Sequence, residues 1–175
     1  VQKGASRRLT PTLELQDRWT AEYIRKLRPT LLVGRFAPEE SDWHVDFEPT
    51  QHGAQWGAEP AAARAGANLA PGIWTLYVGE EITPVLRAAK LRKDDRGNVE
   101  LRTRFWAEEA QPNAGDCAPA LLTIADLIAT RDRRCLDAAR GLREGGEGKK
   151  PDKAERRGLI TTSPSTTRFF FPLAS

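Results

Sequence analysis

The 175-residue chain has no methionine, two cysteines and two histidines. Cys117 and Cys135 are too few for a disulfide framework and are expected as free thiols in a reducing compartment. Cys135 falls at a helical core position and reads as a small buried hydrophobe. No run approaches the roughly 18 apolar residues that span a bilayer. The opening VQKGASRRLT lacks the apolar stretch of a secretory signal. These absences point to a cytoplasmic chain without membrane contact. The missing methionine, with Val1 first, gives the expectation of a fragment or a processed chain. There is no G-x-G-x-x-G, no P-loop and no G-x-S-x-G, so neither a phosphate cradle nor a nucleophile elbow is expected. No cofactor is expected.

What is present is charge, and it is segregated. Residues 1–28 carry seven Lys/Arg against three acids, and 85–104 carry seven against three. Residues 36–59 carry six acids and no Lys or Arg. A basic face attracts nucleic acid. The plainer alternative is that the basic helices and strands pair with the acidic loop.

The length suits one domain with a real core. The apolar pattern predicts an α/β fold, a single mixed domain with a small β-sheet packed against about four helices. The sheet is expected to carry 31–36, 73–78 and 99–106, the last as a half-exposed strand with Glu100, Arg102 and Arg104 facing out. The helices are expected at 11–27, 60–69, 120–129 and 133–143, with a shorter one at 84–91. Thr10 and Pro11 read as N-cap and first helical residue, and Pro29 as the stop. Trp43, Val45 and Phe47 alternate within the acidic loop, either as a short edge strand or as a loop pinned by aromatics. Asp132 reads as the cap of the last helix, whose inner stripe is Cys135, Leu136, Ala139 and Leu142. Residues 1–10 read as a flexible arm, 11–144 as the domain, and 145–175 as a disordered or non-homologous tail.

Few residues suggest chemistry. Asp126 is an acid inside an apolar helix, where an unpaired charge is costly. It reads as a structural carboxylate salt-bridged to a strand arginine, Arg35 or Arg102. The sharper alternative pairs Glu59 with Asp126 as a metal site of nuclease type, but the closely spaced acids such a site needs are missing. His44, Asp46 and His52 share the acidic loop and Cys117 is distant, a scatter without metal-ligand spacing. No metal site is expected. Trp56, between two glycines, is either an exposed stacking platform or a residue packed on the next helix. Arg92, Lys93, Arg96, Arg102 and Arg104 fall near one turn. Lys93, Arg96, Arg102 and Arg104 are the candidate contacts to nucleic acid or a partner.

Four blocks resemble the C-terminal domain of type IV abortive-infection antitoxins of the AbiEi family. They are LRPTLLVGRF at 27–36, GAQWGAEPAAARAGANLAPGIWTLYV at 53–78, AAKLRKDDRGNVELRTRFW at 88–106 and PALLTIADLIATRDRRCLDAARGLRE at 119–144. The resemblance implies a two-part protein. An N-terminal winged helix-turn-helix would repress the operon's own promoter, and the C-terminal domain would counteract a cognate nucleotidyltransferase-like toxin. This chain resembles the second part and has no helix-turn-helix pattern. Its implied role is that of a non-enzymatic antitoxin and transcriptional regulator. The alternatives are a nuclease-like or nucleotidyl-transferring enzyme and a stand-alone interaction module. Two positions depart from the family pattern. Pro60 stands where an Ala-type helix former is usual. Arg131 stands where a Gly often closes the preceding helix, which raises the cost of a left-handed turn.

Overall fold

The computed structural model describes residues 12–106 and 115–147, with side chains to Glu144 and Gly145 at the last helix. The arm at 1–10, the expected caps Thr10 and Pro11, and nearly all of the tail lie outside the described residues.

A five-stranded sheet forms the centre, in the order β2-β3-β5-β1-β4. Its strands are β1 (Leu32–Pro38), β2 (Ala54–Gly57), β3 (Trp74–Val78), β4 (Leu91–Lys93) and β5 (Val99–Thr103). Only β3 and β5 are parallel, with Leu76 opposite Leu101. The other neighbours are antiparallel. The helices are α1 (Leu13–Glu22), α2 (Ala58–Arg64), α3 (Thr83–Ala88), α4 (Ala120–Thr130) and α5 (Arg133–Glu147). The mixed α/β expectation holds, with two more strands than read from sequence. β2 is short and Gly-flanked, and β4 is three residues long, so neither carries a strand period.

The first helix departs from the expected 11–27. Thr12 caps it, its hydroxyl accepting the Leu15 N–H. After Glu22 the turn widens over Tyr23–Leu27, and the Arg28 N–H reaches the Tyr23 carbonyl, five residues back. A tight 3-10 turn, Arg28–Leu31, then takes in Pro29. The helix expected at 60–69 instead runs from Ala58 to Arg64. Pro60 is tolerated because the first helical N–H groups have no intrahelical partner. Gly66, at φ +92°, ends the run in the left-handed region. Arg131 does take the left-handed cap that favours glycine, at φ 58°.

One sheet face packs Phe36, Trp56, Leu76, Val78, Val99 and Leu101 against α3 and the acidic loop. That loop is not a strand. Trp43 and Phe47 turn inward onto Trp56, while Val45 is 69% exposed. On the other face Tyr77 packs with Tyr23, Leu31 and Leu122. A third cluster joins α2, α4 and α5 through Ala62, Ile124, Leu127, Cys135 and Ala139. Asp132 caps α5, accepting the Arg134 N–H at 2.8 Å. Leu136 leaves the expected inner stripe and is exposed. The β2 edge does not stay open, because the 116–118 segment bonds both sides of Trp56.

Candidate nucleic-acid interface and its buried anchor

Asp126 is fully buried in the middle of α4. Three donors meet its carboxylate. The Tyr23 hydroxyl and Arg28 Nε each donate to Oδ1 at 2.9 Å, and the Tyr77 hydroxyl donates to Oδ2 at 2.7 Å. The two phenol oxygens lie 2.8 Å apart. The expected partner of Asp126 is corrected: the salt bridge comes from Arg28, not from Arg35 or Arg102. The widened turn after α1 explains this, since it brings Tyr23 and Arg28 to one side, facing α4. No hydrophobic period marks such a turn.

The strand arginines meet a different acid. Glu100 accepts from Arg102 at 2.8 Å and pairs with Arg35 at 3.5 Å. Arg102 also donates to the Arg28 carbonyl at 2.9 Å. Arg102 therefore does not face out: it is buried. β5 is a central strand, and the face opposite Val99 and Leu101 is covered by the helical layer rather than by water. Arg35 is only partly buried, its side chain 34% exposed.

The remaining candidates separate. Glu59 is buried in the first turn of α2, accepts the Gly72 N–H at 2.7 Å and faces Arg134 at 4.0 Å. It thus has a different set of partners from Asp126. His44 stacks on Trp74 at 3.8 Å and His52 on Phe47 at 5.3 Å. Among the described residues no three His, Cys, Asp or Glu side chains group as metal ligands. Trp56 is no exposed platform: it is fully buried, with the Arg64 guanidinium over its ring at 4.9 Å. Burial first, and then Asp116, pushes the Cys117 thiol up to about 12.

The exposed cations gather at the β4–β5 turn. Arg92, Lys93 and Arg96 are all exposed there. Asp94 Oδ1 accepts the Arg96 N–H at 2.9 Å and shapes the turn. The acidic loop takes part of the charge, as Glu39 pairs with Arg92 and Glu40 with Lys90. Lys93 and Arg96 have no side-chain ion pair among the described residues. Arg104 is half-buried just past β5, and its N–H donates to the Val78 carbonyl. The expected stripe is thus divided, with Lys93 and Arg96 at the turn, Arg104 beyond the strand and Arg102 inside.

A family model for transcriptional regulators that are AbiEi antitoxins of type IV toxin–antitoxin systems matches residues 8–145. The chain belongs to this AbiEi antitoxin family. No curated protein and no solved structure matches it. The AbiEi match takes in both the Asp126 network and the basic turn.

In this AbiEi domain the network has a pH signature. Burial first, and then Asp126 beside them, raises both tyrosines above the ordinary value of 10.0. The folded state keeps phenol protons that the unfolded chain releases above that value. The contribution is therefore complete below about pH 10 and is lost as pH rises beyond it. Each retained proton adds a slope of about 1.4 kcal/mol per pH unit. Tyr77→Phe is expected to lower stability at pH 8, because Asp126 loses a donor, and to make the decline above pH 10 shallower. Urea unfolding of both proteins at pH 8, 10 and 11 checks this, and parallel declines would refute it.

Proposed function

We propose that this chain is the toxin-counteracting half of a two-part type IV antitoxin. In this reading a winged-helix region stands N-terminal to it in the whole protein, as the family resemblance implies. It acts in the cytoplasm on a nucleotidyltransferase-like toxin, directly or indirectly, and supports repression of its own promoter by auxiliary contacts to the DNA backbone. Residues 11–144 form the working domain and 145–175 a tail outside it.

The observation that carries the reading is the AbiEi family match over 8–145. The geometry supports a binding role over the nuclease alternative. The two carboxylates such an enzyme would use are engaged separately, Asp126 by three donors and Glu59 by Gly72 and Arg134. Lys93 and Arg96, exposed and without an ion pair among the described residues, are the groups best placed to meet phosphates. Such contacts position a protein on DNA without reading sequence.

The role is tested by co-expressing the full antitoxin with the adjacent toxin gene and scoring growth. Continued toxicity would remove the proposed role. The DNA contact has its own test. Lys93→Ala with Arg96→Ala is expected to weaken promoter binding equally for all sequences. It is also expected to flatten the slope of log affinity against log salt by about 0.9 for each phosphate that is no longer neutralised. A gel-shift series at several salt concentrations reads both, and an unchanged slope excludes the turn as a DNA contact.

A further inference from the structure

Two of the cations along the outer strand of the sheet, Lys90 and Arg92, are held by acids of the same chain. Glu40 accepts from Lys90 Nζ at 2.6 Å, and a Glu39 carboxylate oxygen lies 3.6 Å from Arg92 Nε. The sheet fixes both pairings. The Glu39 N–H donates to the Lys90 carbonyl at 3.2 Å, one step beyond the Pro38–Leu91 pair that ends the β1–β4 ladder. Lys90 itself adopts a left-handed backbone, φ 46°, that favours glycine. All four side chains are exposed. β4 has β1 on one side and no further strand on the other among the described residues. Lys90 and Lys93 are separated by about 10 Å of extended chain. A short run of phosphates along this rim therefore spans Lys90, Arg92 and Lys93.

We propose that Glu39 and Glu40 are a built-in competitor for DNA phosphates, occupying Lys90 and Arg92 and so holding back cations that this rim would otherwise add to the backbone contact. The inference rests on the DNA contact proposed for Lys93 and Arg96 and adds its regulation. Exposed ion pairs of this kind are weak and screened by salt. A carboxylate on the same chain nevertheless acts at a high effective concentration, so it lowers the yield of each phosphate contact without closing the site. Phosphate contacts supply essentially all of non-specific binding. The competitor therefore restrains attachment to DNA of any sequence.

The test uses the full chain and a fluorescein-labelled duplex of arbitrary sequence, followed by anisotropy at several salt concentrations. Glu39→Gln with Glu40→Gln is expected to tighten binding about tenfold at low salt, and to steepen the slope of log affinity against log salt by about 0.9 for each cation released. A gain in affinity cannot come from a failure to fold. Asp42→Asn with Asp46→Asn removes the same charge from the same loop, where neither acid has an ion pair among the described residues, and should change binding much less. With Lys90→Ala and Arg92→Ala already in place, the glutamine pair should have little effect, since no cation is left to release. If the parent does not bind the duplex, or if Lys93→Ala with Arg96→Ala leaves the slope unchanged, the DNA contact itself fails and the inference falls with it. If that slope flattens as expected while the glutamine pair keeps the parent's affinity and slope, the competitor alone is overturned. It is equally overturned if Asp42→Asn with Asp46→Asn tightens binding as much, which would mark overall charge as the cause, or if the gain persists without Lys90 and Arg92.

Discussion

Asp126→Ala is expected to lower the stability of the domain by about 3–5 kcal/mol. The substitution removes the common acceptor of Tyr23, Arg28 and Tyr77. Arg28 keeps its charge, with its side chain only 21% exposed, and two phenol hydroxyls in the core lose their shared acceptor and keep only each other. Breaking one side of a buried ion pair costs more than the pair contributed, because the remaining charge stays desolvated. Asp126→Asn should cost less, since an amide oxygen still accepts from one of the three. Domains of this size are stable by about 5–15 kcal/mol, so the alanine variant approaches unfolding. Chemical denaturation of the two variants gives the answer. An alanine variant within about 1 kcal/mol of the parent, well short of the cost of breaking a buried pair, would show that the network does not hold the turn after α1, β3 and α4 together.

Trp56→Ala should have an effect of similar size, about 3–5 kcal/mol. Its ring is fully buried between Trp43, Phe47 and Trp74, with centroids 5.6–5.8 Å away. Truncation removes the largest fully buried side chain at the junction of β2, β3 and the acidic loop, and rings held on three sides relax only partly into the space. The loop is held to this cluster by Phe47, which is buried, and Trp43, which is partly buried, and both pack on Trp56, so it should loosen first. Trp56→Phe separates packing from polarity. The indole N–H has no hydrogen-bond partner among the described residues, so the cost of the phenylalanine variant is volume alone and should be much smaller. Equal losses for the two variants would show that packing is not what Trp56 supplies.

Both predictions rest on residues whose importance is only partly legible in the sequence. Asp126 is conspicuous as an acid in an apolar helix, and a structural role follows from the cost of burying charge. Its partner does not follow. Arg28 reads as one more cation before a proline, and only the widened turn beyond α1 brings it to α4. Arg102 is misplaced by its sequence pattern for a related reason. Alternation along 99–103 correctly separates two faces, but it does not say that the second face is also covered. That depends on β5 lying third in a five-stranded sheet. Trp56 stands between two glycines with no period to assign it a side, and the loop that encloses it joins it from residues 43–47.

The amino-acid sequence by itself determined the fold class, the longer helices, the central strands and the α5 cap. Each of these rests on local chemistry: apolar periods, β-branched runs and short polar side chains at helix starts. It also determined the family, whose model matches residues 8–145. Tertiary structure decided which charges are spent inside and which face solvent. Arg28, Arg35 and Arg102 are equally basic as letters. Strand order and one irregular turn bind Arg28 to Asp126 and Arg102 to Glu100, and leave Lys93 and Arg96 outside. The division follows from desolvation: a buried cation must find its acid wherever the chain brings one, which for Arg28 is 98 residues away at Asp126 and for Arg102 is Glu100 on its own strand.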